Sequence, residues 1–165
     1  MDYKIYGNKE IFEKKLPVTL TIGNFDGFHL GHQFLVSYVL QNFPQPVGII
    51  LFDPHPAQFF KPNFERMFLS SMNERIENIL NFGVDFVLVQ KFNDSFSNLS
   101  ADDFCEKWLY QKFNVHNIIL GHDFSYGKDR QGNFEHMKVY GPRFGWNVEK
   151  VSPFSIDKTI VSSTL

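Results

Sequence analysis

The stretch Thr19–Gln33, TLTIGNFDGFHLGHQ, decides the fold. A β-branched apolar run ends at Gly23, a turn-rich segment with Gly27 follows, and His29 and His32 bracket Gly31 as helix-forming residues begin. This order predicts strand, tight loop and helix start. Glycines allow a left-handed backbone and close approach of a ligand, and the first turn of a helix offers unpaired N–H groups at a positive dipole end. A phosphate suits such a junction. Two imidazoles three residues apart at a helix start can share one side of it, but taken alone the pair reads equally well as surface or core histidines.

Outward from this junction the pattern repeats. Val47–Phe52 (VGIILF), Val84–Val89, Val115–Leu120 and Trp146–Val151 read as further strands, and Met1–Leu16 as a short edge strand. The continuous apolar runs point to strands covered on both faces. Helical spacing appears in Gln33–Asn42, after the capping box Ser71-Met72-Asn73-Glu74, after Ser100 with Asp103 three residues on, and over Glu135–Tyr140. Gly83 is the expected stop of the second helix. Ala57–Leu69, rich in Phe, has no clean period and is expected to be a loop over the site; Gln90–Asn98 reads as a polar connection. Alternation without hairpin signals predicts an α/β fold with a Rossmann-like, doubly wound parallel sheet of about five strands.

The whole chain, 165 residues, fits one domain. Formal charge is −2, from 16 basic and 18 acidic side chains without a basic run, so no nucleic-acid partner is expected. No apolar run is long enough to span a bilayer, and MDYKIYGNKE lacks the core of a signal peptide. No membrane association and a cytoplasmic location are the expectations. The single Cys105 reads as a structural thiol. Most of the 20 Phe residues are expected in the core, although a few could form a flat apolar slot for a ring-shaped ligand; composition does not say which.

Three further segments fall at strand exits. Asp53-Pro54-His55-Pro56 stiffens one, and reads either as ligand-binding or as a rigid turn. Gly121–Asn133, GHDFSYGKDRQGN, mixes glycines, rings and both charge signs, a composition better suited to ligand contact than to packing, although Lys128, Asp129 and Arg130 also fit a solvated surface. The chain closes on Val161-Ser162-Ser163-Thr164-Leu165, whose hydroxyls can cap a helix or donate to phosphate.

Taken as an ordered set, G-N-F-D-G-F-H-L-G-H-Q, F-D-P-H-P, G-H-D-F-S-Y-G-x-x-x-x-G and S-S-T resemble the H-x-G-H nucleotidylyltransferase superfamily, in its bacterial FAD synthetase branch. The resemblance spans nearly the whole chain. It departs at Asp123, where Asn is frequent, at Tyr126, where Phe is usual, and at the end, since the family's closing Ile and phosphate-holding Arg do not follow Leu165. An early end to the sequence and a weakened activity both remain open.

What the resemblance implies is an FMN adenylyltransferase over 1–165: ATP and FMN give FAD and pyrophosphate, with Mg²⁺ held through substrate phosphates and no protein metal site. A C-terminal riboflavin kinase domain is absent from the sequence, and such a domain or a separate kinase is the implied partner. By the same resemblance Gly23, Asn24, Phe25, Asp26, His29, His32, Ser163 and Thr164 serve ATP, with His29 and His32 catalytic, and Pro54, His55, Asp123, Phe124 and Tyr126 serve the flavin. Alternatives are another nucleotidylyltransferase with a different phosphate acceptor, a non-catalytic flavin or nucleotide binder, and a zinc site on His29, His32 and His55. The last lacks a carboxylate base.

Overall fold

The computed structural model describes residues 2–23, 25, 30–61, 71–121 and 124–151. Among them one sheet is built from β1 (Tyr3–Gly7), β2 (Pro17–Ile22), β3 (Val47–Asp53), β4 (Phe86–Lys91), β5 (Asn114–Gly121) and β6 (Asn147–Val151). Their spatial order is β1-β4-β3-β2-β5-β6. The five strands expected inside the sheet pair in parallel, and the expected edge strand is β1, antiparallel to β4. From β2 the chain steps to β3 and β4, then returns past β2 to β5 and β6. This reversal between β2 and β5 leaves a crevice beyond their carboxyl ends, where open α/β sheets bind ligands.

Side-chain alternation along each strand feeds two apolar layers. Ile49, Leu51, Val87, Val89 and Ile119 face a layer with Val36 and Val39 of α2 (Leu30–Asn42) and Ile76 and Ile79 of α4 (Met72–Phe82). Leu20, Ile22, Ile50, Phe52, Leu88 and Ile118 face the other layer. That second layer holds Ile11 of α1 (Lys9–Glu13), Phe96 of α5 (Asp94–Ser97), Ala101 of α6 (Ala101–Asp103) and Met137 of α7 (Phe134–Tyr140). Helix α6 runs straight into a wider π-helical stretch, Phe104–Tyr110, that buries Phe104, Cys105, Trp108 and Leu109. The Trp108 indole N–H donates to Gln90 Oε1 at 2.9 Å, so a buried polar side chain of β4 is satisfied by the helix that packs on it.

Local signals predicted the helix ends. Ser71 accepts from the Glu74 N–H at 3.1 Å and Ser100 from Asp103 at 3.0 Å, while Gly83 stops α4 at φ 123° with its N–H on Leu80 O. Two expectations change. Gln90–Asn98 contains a helical turn, α5, capped by Asn93, and the Phe-rich segment begins as helix α3 (Pro56–Phe60), because His55 caps it and Pro56 starts it. Residues 62–70 of that segment lie outside the described ones.

Gly48 shows how tightly the sheet centre is filled. A Cβ there would stand 2.1 Å from the ring of Phe86, itself fully buried. Gly48→Ala is therefore expected to destabilise the protein by about 1–3 kcal/mol through overpacking, read as a lower urea midpoint at unchanged slope. A midpoint equal to that of the unaltered protein would remove the packing argument.

Candidate functional site

At the switch point lies a cavity of about 430 Å³. Ile22 and Gly23 close it from β2, Phe52 from β3, Phe92 just after β4 and Gly121 from β5; His32 and Leu35 of α2 and Ala57 and Phe60 of α3 stand at its sides. Its size is that of a pocket for one small organic molecule. Phe52, Phe92, Phe96, Phe104, Phe124 and Tyr126 line it and touch one another, as in the Phe96–Phe104 pair at 6.0 Å and the Phe104–Tyr126 stack at 4.5 Å and 27°.

The nucleotide-side residues divide as follows. His32 sits in the first turn of α2, half-buried, with its ring edge-on to Phe25 at 5.1 Å and 64°. Gly23 borders the same cavity. It does so differently from expectation: its N–H donates to Ile50 O at 3.1 Å, completing the β2–β3 ladder, so it offers no N–H to a nucleotide. Nor does Gly23 supply the left-handed bend. Phe25 does, at φ 52°, an uncommon value for a bulky residue that its burial and the His32 contact hold in place. A side chain on Gly23 would meet the Phe25 ring at 3.1 Å, so the glycine serves close packing. Asn24, Asp26, Gly27, His29, Ser163 and Thr164 lie outside the described residues.

On the other side, His55 Nδ1 accepts from the Ala57 N–H at 3.0 Å. That bond requires Nδ1 to be unprotonated, so the neutral ring carries its proton on Nε2. His55 thus caps α3 and borders the cavity. Pro54 is not part of the wall; Pro56 and Ala57 are. Phe124 and Tyr126 are, stacked at 5.9 Å and 24°. Asp123 lies outside the described residues, as does His122.

The loop after β5 was expected to be built for ligand contact, and the structure shows that its glycines serve packing first. Tyr126 and Gly132 exchange backbone hydrogen bonds of 3.0 and 2.8 Å. A Cβ on Gly132 would lie 2.2 Å from the Tyr126 ring, and one on Gly127, at φ 81°, would lie 2.9 Å from the Ala101 backbone. Those close approaches explain both residues. The loop's tip holds Asp129 and Arg130 at φ 56° and 54°, and Arg130 joins the cavity wall. Arg130 is itself exposed to solvent. Its sequence neighbourhood of alternating charges hid it among solvated residues, and only the left-handed turn singles it out.

Behind the wall, burial pushes the Cys105 thiol up to about 12 from its ordinary 9.0, against a smaller opposing effect of the Tyr126 hydroxyl. The folded protein therefore holds this proton more tightly than the unfolded chain. Its contribution to stability is intact below about pH 9 and is lost as pH rises toward 12. At pH 8 Cys105 is expected to resist a disulfide reagent such as Ellman's until denaturant is added; rapid labelling of folded protein would contradict its burial.

Among the described residues no three His, Cys, Asp or Glu side chains gather to hold a metal ion, and no helix is long and apolar enough to cross a membrane.

A family model for FAD synthetase matches residues 11–165. The bifunctional riboflavin kinase/FMN adenylyltransferase of Buchnera aphidicola subsp. Acyrthosiphon pisum is 36% identical over 163 residues, 97% of this chain and 52% of that protein. Proteins of the same name from Haemophilus influenzae and Escherichia coli K12 are 36% and 31% identical, each over 148 residues and 88% of this chain, and 48% and 47% of theirs. The chain spans about half the length of these relatives. A crystal structure described as a macrolide-efflux protein from Streptococcus pneumoniae superposes with a TM-score of 0.69 at 26% identity, over 90% of this chain and 49% of that one. A shared fold alone does not choose an activity.

Proposed function

Because the chain belongs to the FAD synthetase family, we propose that it transfers AMP from ATP to FMN, giving FAD and pyrophosphate. One observation supports this acceptor above others: an aromatic cavity at the switch point, bounded by His32 and Gly23 at one side and by the Phe124–Arg130 loop at another. A flat heteroaromatic ring with an anionic tail matches apolar rings beside a guanidinium. A purely aliphatic phosphate acceptor would leave those faces unused.

An oxygen of the FMN phosphate attacks the α-phosphorus of ATP, and pyrophosphate leaves. The second pKa of a phosphate monoester is about 6, so the nucleophile is largely ionised at neutral pH and needs no general base. What remains for the protein is alignment and charge stabilisation. His32, joined by His29 in our reading, donates to oxygens on the transferred phosphorus. Asn24, Phe25 and Asp26 line the nucleotide, and Ser163 and Thr164 bind its β- and γ-phosphates. The flavin ring lies along Phe124 and Tyr126, with Pro54 and His55 at the β3 exit and Asp123 between the substrates.

Mg²⁺ prefers oxygen ligands and keeps water, so phosphate oxygens of ATP are its natural holders. Bound there, it neutralises triphosphate charge. In the bifunctional relatives a riboflavin kinase accompanies this activity by name; a kinase domain or separate kinase supplying FMN is the partner we propose, in the cytoplasm where ATP is abundant.

The test is incubation with ATP, Mg²⁺ and FMN, following FAD by chromatography and pyrophosphate by a coupled assay, with pantetheine phosphate, glycerol phosphate and a mononucleotide as rival acceptors. FAD with equimolar pyrophosphate is expected only with FMN. AMP transfer to another acceptor alone, or FMN binding without pyrophosphate release, would replace this reading.

A further inference from the structure

The ring of Tyr126 is buried and is met by other rings. Phe104 stacks on it at 4.5 Å and Phe124 at 5.9 Å, and Gly132 leaves room for it only by lacking a side chain. Stacked rings favour offset geometries, and a hydrogen bond at the far end of the ring adds a directional tether. Its hydroxyl has one, lying 2.6 Å from His136 Nδ1, while His136 Nε2 lies 2.7 Å from Asp102 Oδ1.

The polarity of this chain follows from the donor inventory. A carboxylate only accepts, so Nε2 carries a proton toward Asp102, and in the neutral ring Nδ1 is then the acceptor for the Tyr126 hydroxyl. Asn133 O at 3.3 Å is a more distant acceptor, and the Cys105 thiol approaches the hydroxyl at 3.8 Å. His136 is itself held, its N–H on Asn133 Oδ1 at 3.0 Å and its ring stacked on Tyr140 at 5.3 Å and 20°. The relay joins α6, which carries Asp102, to α7, which carries His136, and so braces the loop between β5 and α7 from behind.

We propose that Asp102 and His136 are positioning residues for the acceptor, acting through the Tyr126 hydroxyl to fix the aromatic wall before the flavin arrives. The proposal rests on the reading of the cavity as the FMN site. Presetting the wall removes an ordering cost from acceptor binding. Its effect falls on FMN affinity and on KM for FMN, and leaves KM for ATP alone.

The experiment is a double-mutant cycle on the full chain, with Tyr126→Phe, His136→Ala and the pair, FMN binding being read from quenching of its fluorescence. Each single change is expected to weaken FMN binding roughly three- to tenfold, the range of one hydrogen bond. The double variant should be no weaker than the worse single one. His136→Asn, whose amide oxygen can accept where Nδ1 did, should recover most of the loss. Asp102→Asn, at an exposed side chain, should give a smaller loss and serves if His136→Ala fails to fold. Additive losses, or equal losses in FMN and ATP binding, would reduce His136 to general support and overturn the proposal. So would FMN affinity unchanged in all variants. Failure of the unaltered protein to bind FMN is a different result, because it removes the functional reading and this proposal together.

Discussion

Replacing His32 by Ala is expected to lower the rate of FAD formation roughly 10²- to 10³-fold with the fold intact, the loss seen when one preorganised donor to a developing charge is removed. In the proposed reaction the place of this side chain accounts for the size. His32 occupies the first turn of α2, borders the cavity and meets the Phe25 ring at 5.1 Å, so as a donor it would need little reorganisation as charge built on the transferred phosphorus. In barrier terms this is about 2.7–4 kcal/mol. The fold should persist because the buried face of α2 is carried by Val36 and Val39, both fully buried, and not by His32. Single-turnover FAD formation together with near-ultraviolet circular dichroism checks both halves. Turnover within twofold of the unaltered protein would take His32 out of the mechanism.

The second large effect concerns stability and acceptor binding together. Phe104→Ala is expected to cost about 3–5 kcal/mol, the range for emptying a large aromatic site in a close-packed interior. Phe104 is 2% exposed and touches Phe96, Trp108 and Tyr126 at 6.0, 4.9 and 4.5 Å between ring centroids. It also forms part of the cavity wall. Its loss therefore removes core contacts and the backing of Tyr126 in one step. Urea unfolding should show a much lower midpoint, and FMN binding should weaken even where the variant remains folded. Val139→Ala, at a side chain 71% exposed, should stay within about 0.5 kcal/mol. Similar midpoints for the two variants would mean that the aromatic layer does not hold the fold as described.

Much of the architecture was legible because it rests on local chemistry. Alternating and continuous apolar runs announced the parallel strands, Ser71 and Ser100 announced helix starts, and Gly83 an end. The nearly continuous apolar β3 required cover on both faces, and it has it. Less legible were features that depend on what a residue meets across the chain. Gly23 looks like a phosphate-loop glycine in one dimension, yet its N–H belongs to the β2–β3 ladder. Tyr126 reads as a ring for a ligand, and its hydroxyl is committed to His136, ten residues away. Arg130 reads either as a ligand contact or as a solvated charge, and in the fold it is exposed and also borders the cavity.

By itself, the order of apolar runs, turns and caps determined that this protein is a doubly wound α/β domain in which strand β2 precedes helix α2, because hydrogen-bonding periodicity and side-chain alternation are properties of neighbours along the chain. Tertiary structure decided where β1 pairs and in which direction, which rings among twenty Phe enclose the cavity, and which polar groups stay available to a ligand. Those are outcomes of competition in space. A donor satisfied by a distant carbonyl, or a ring filling the gap left by a missing Cβ, carries no mark in its own sequence neighbourhood.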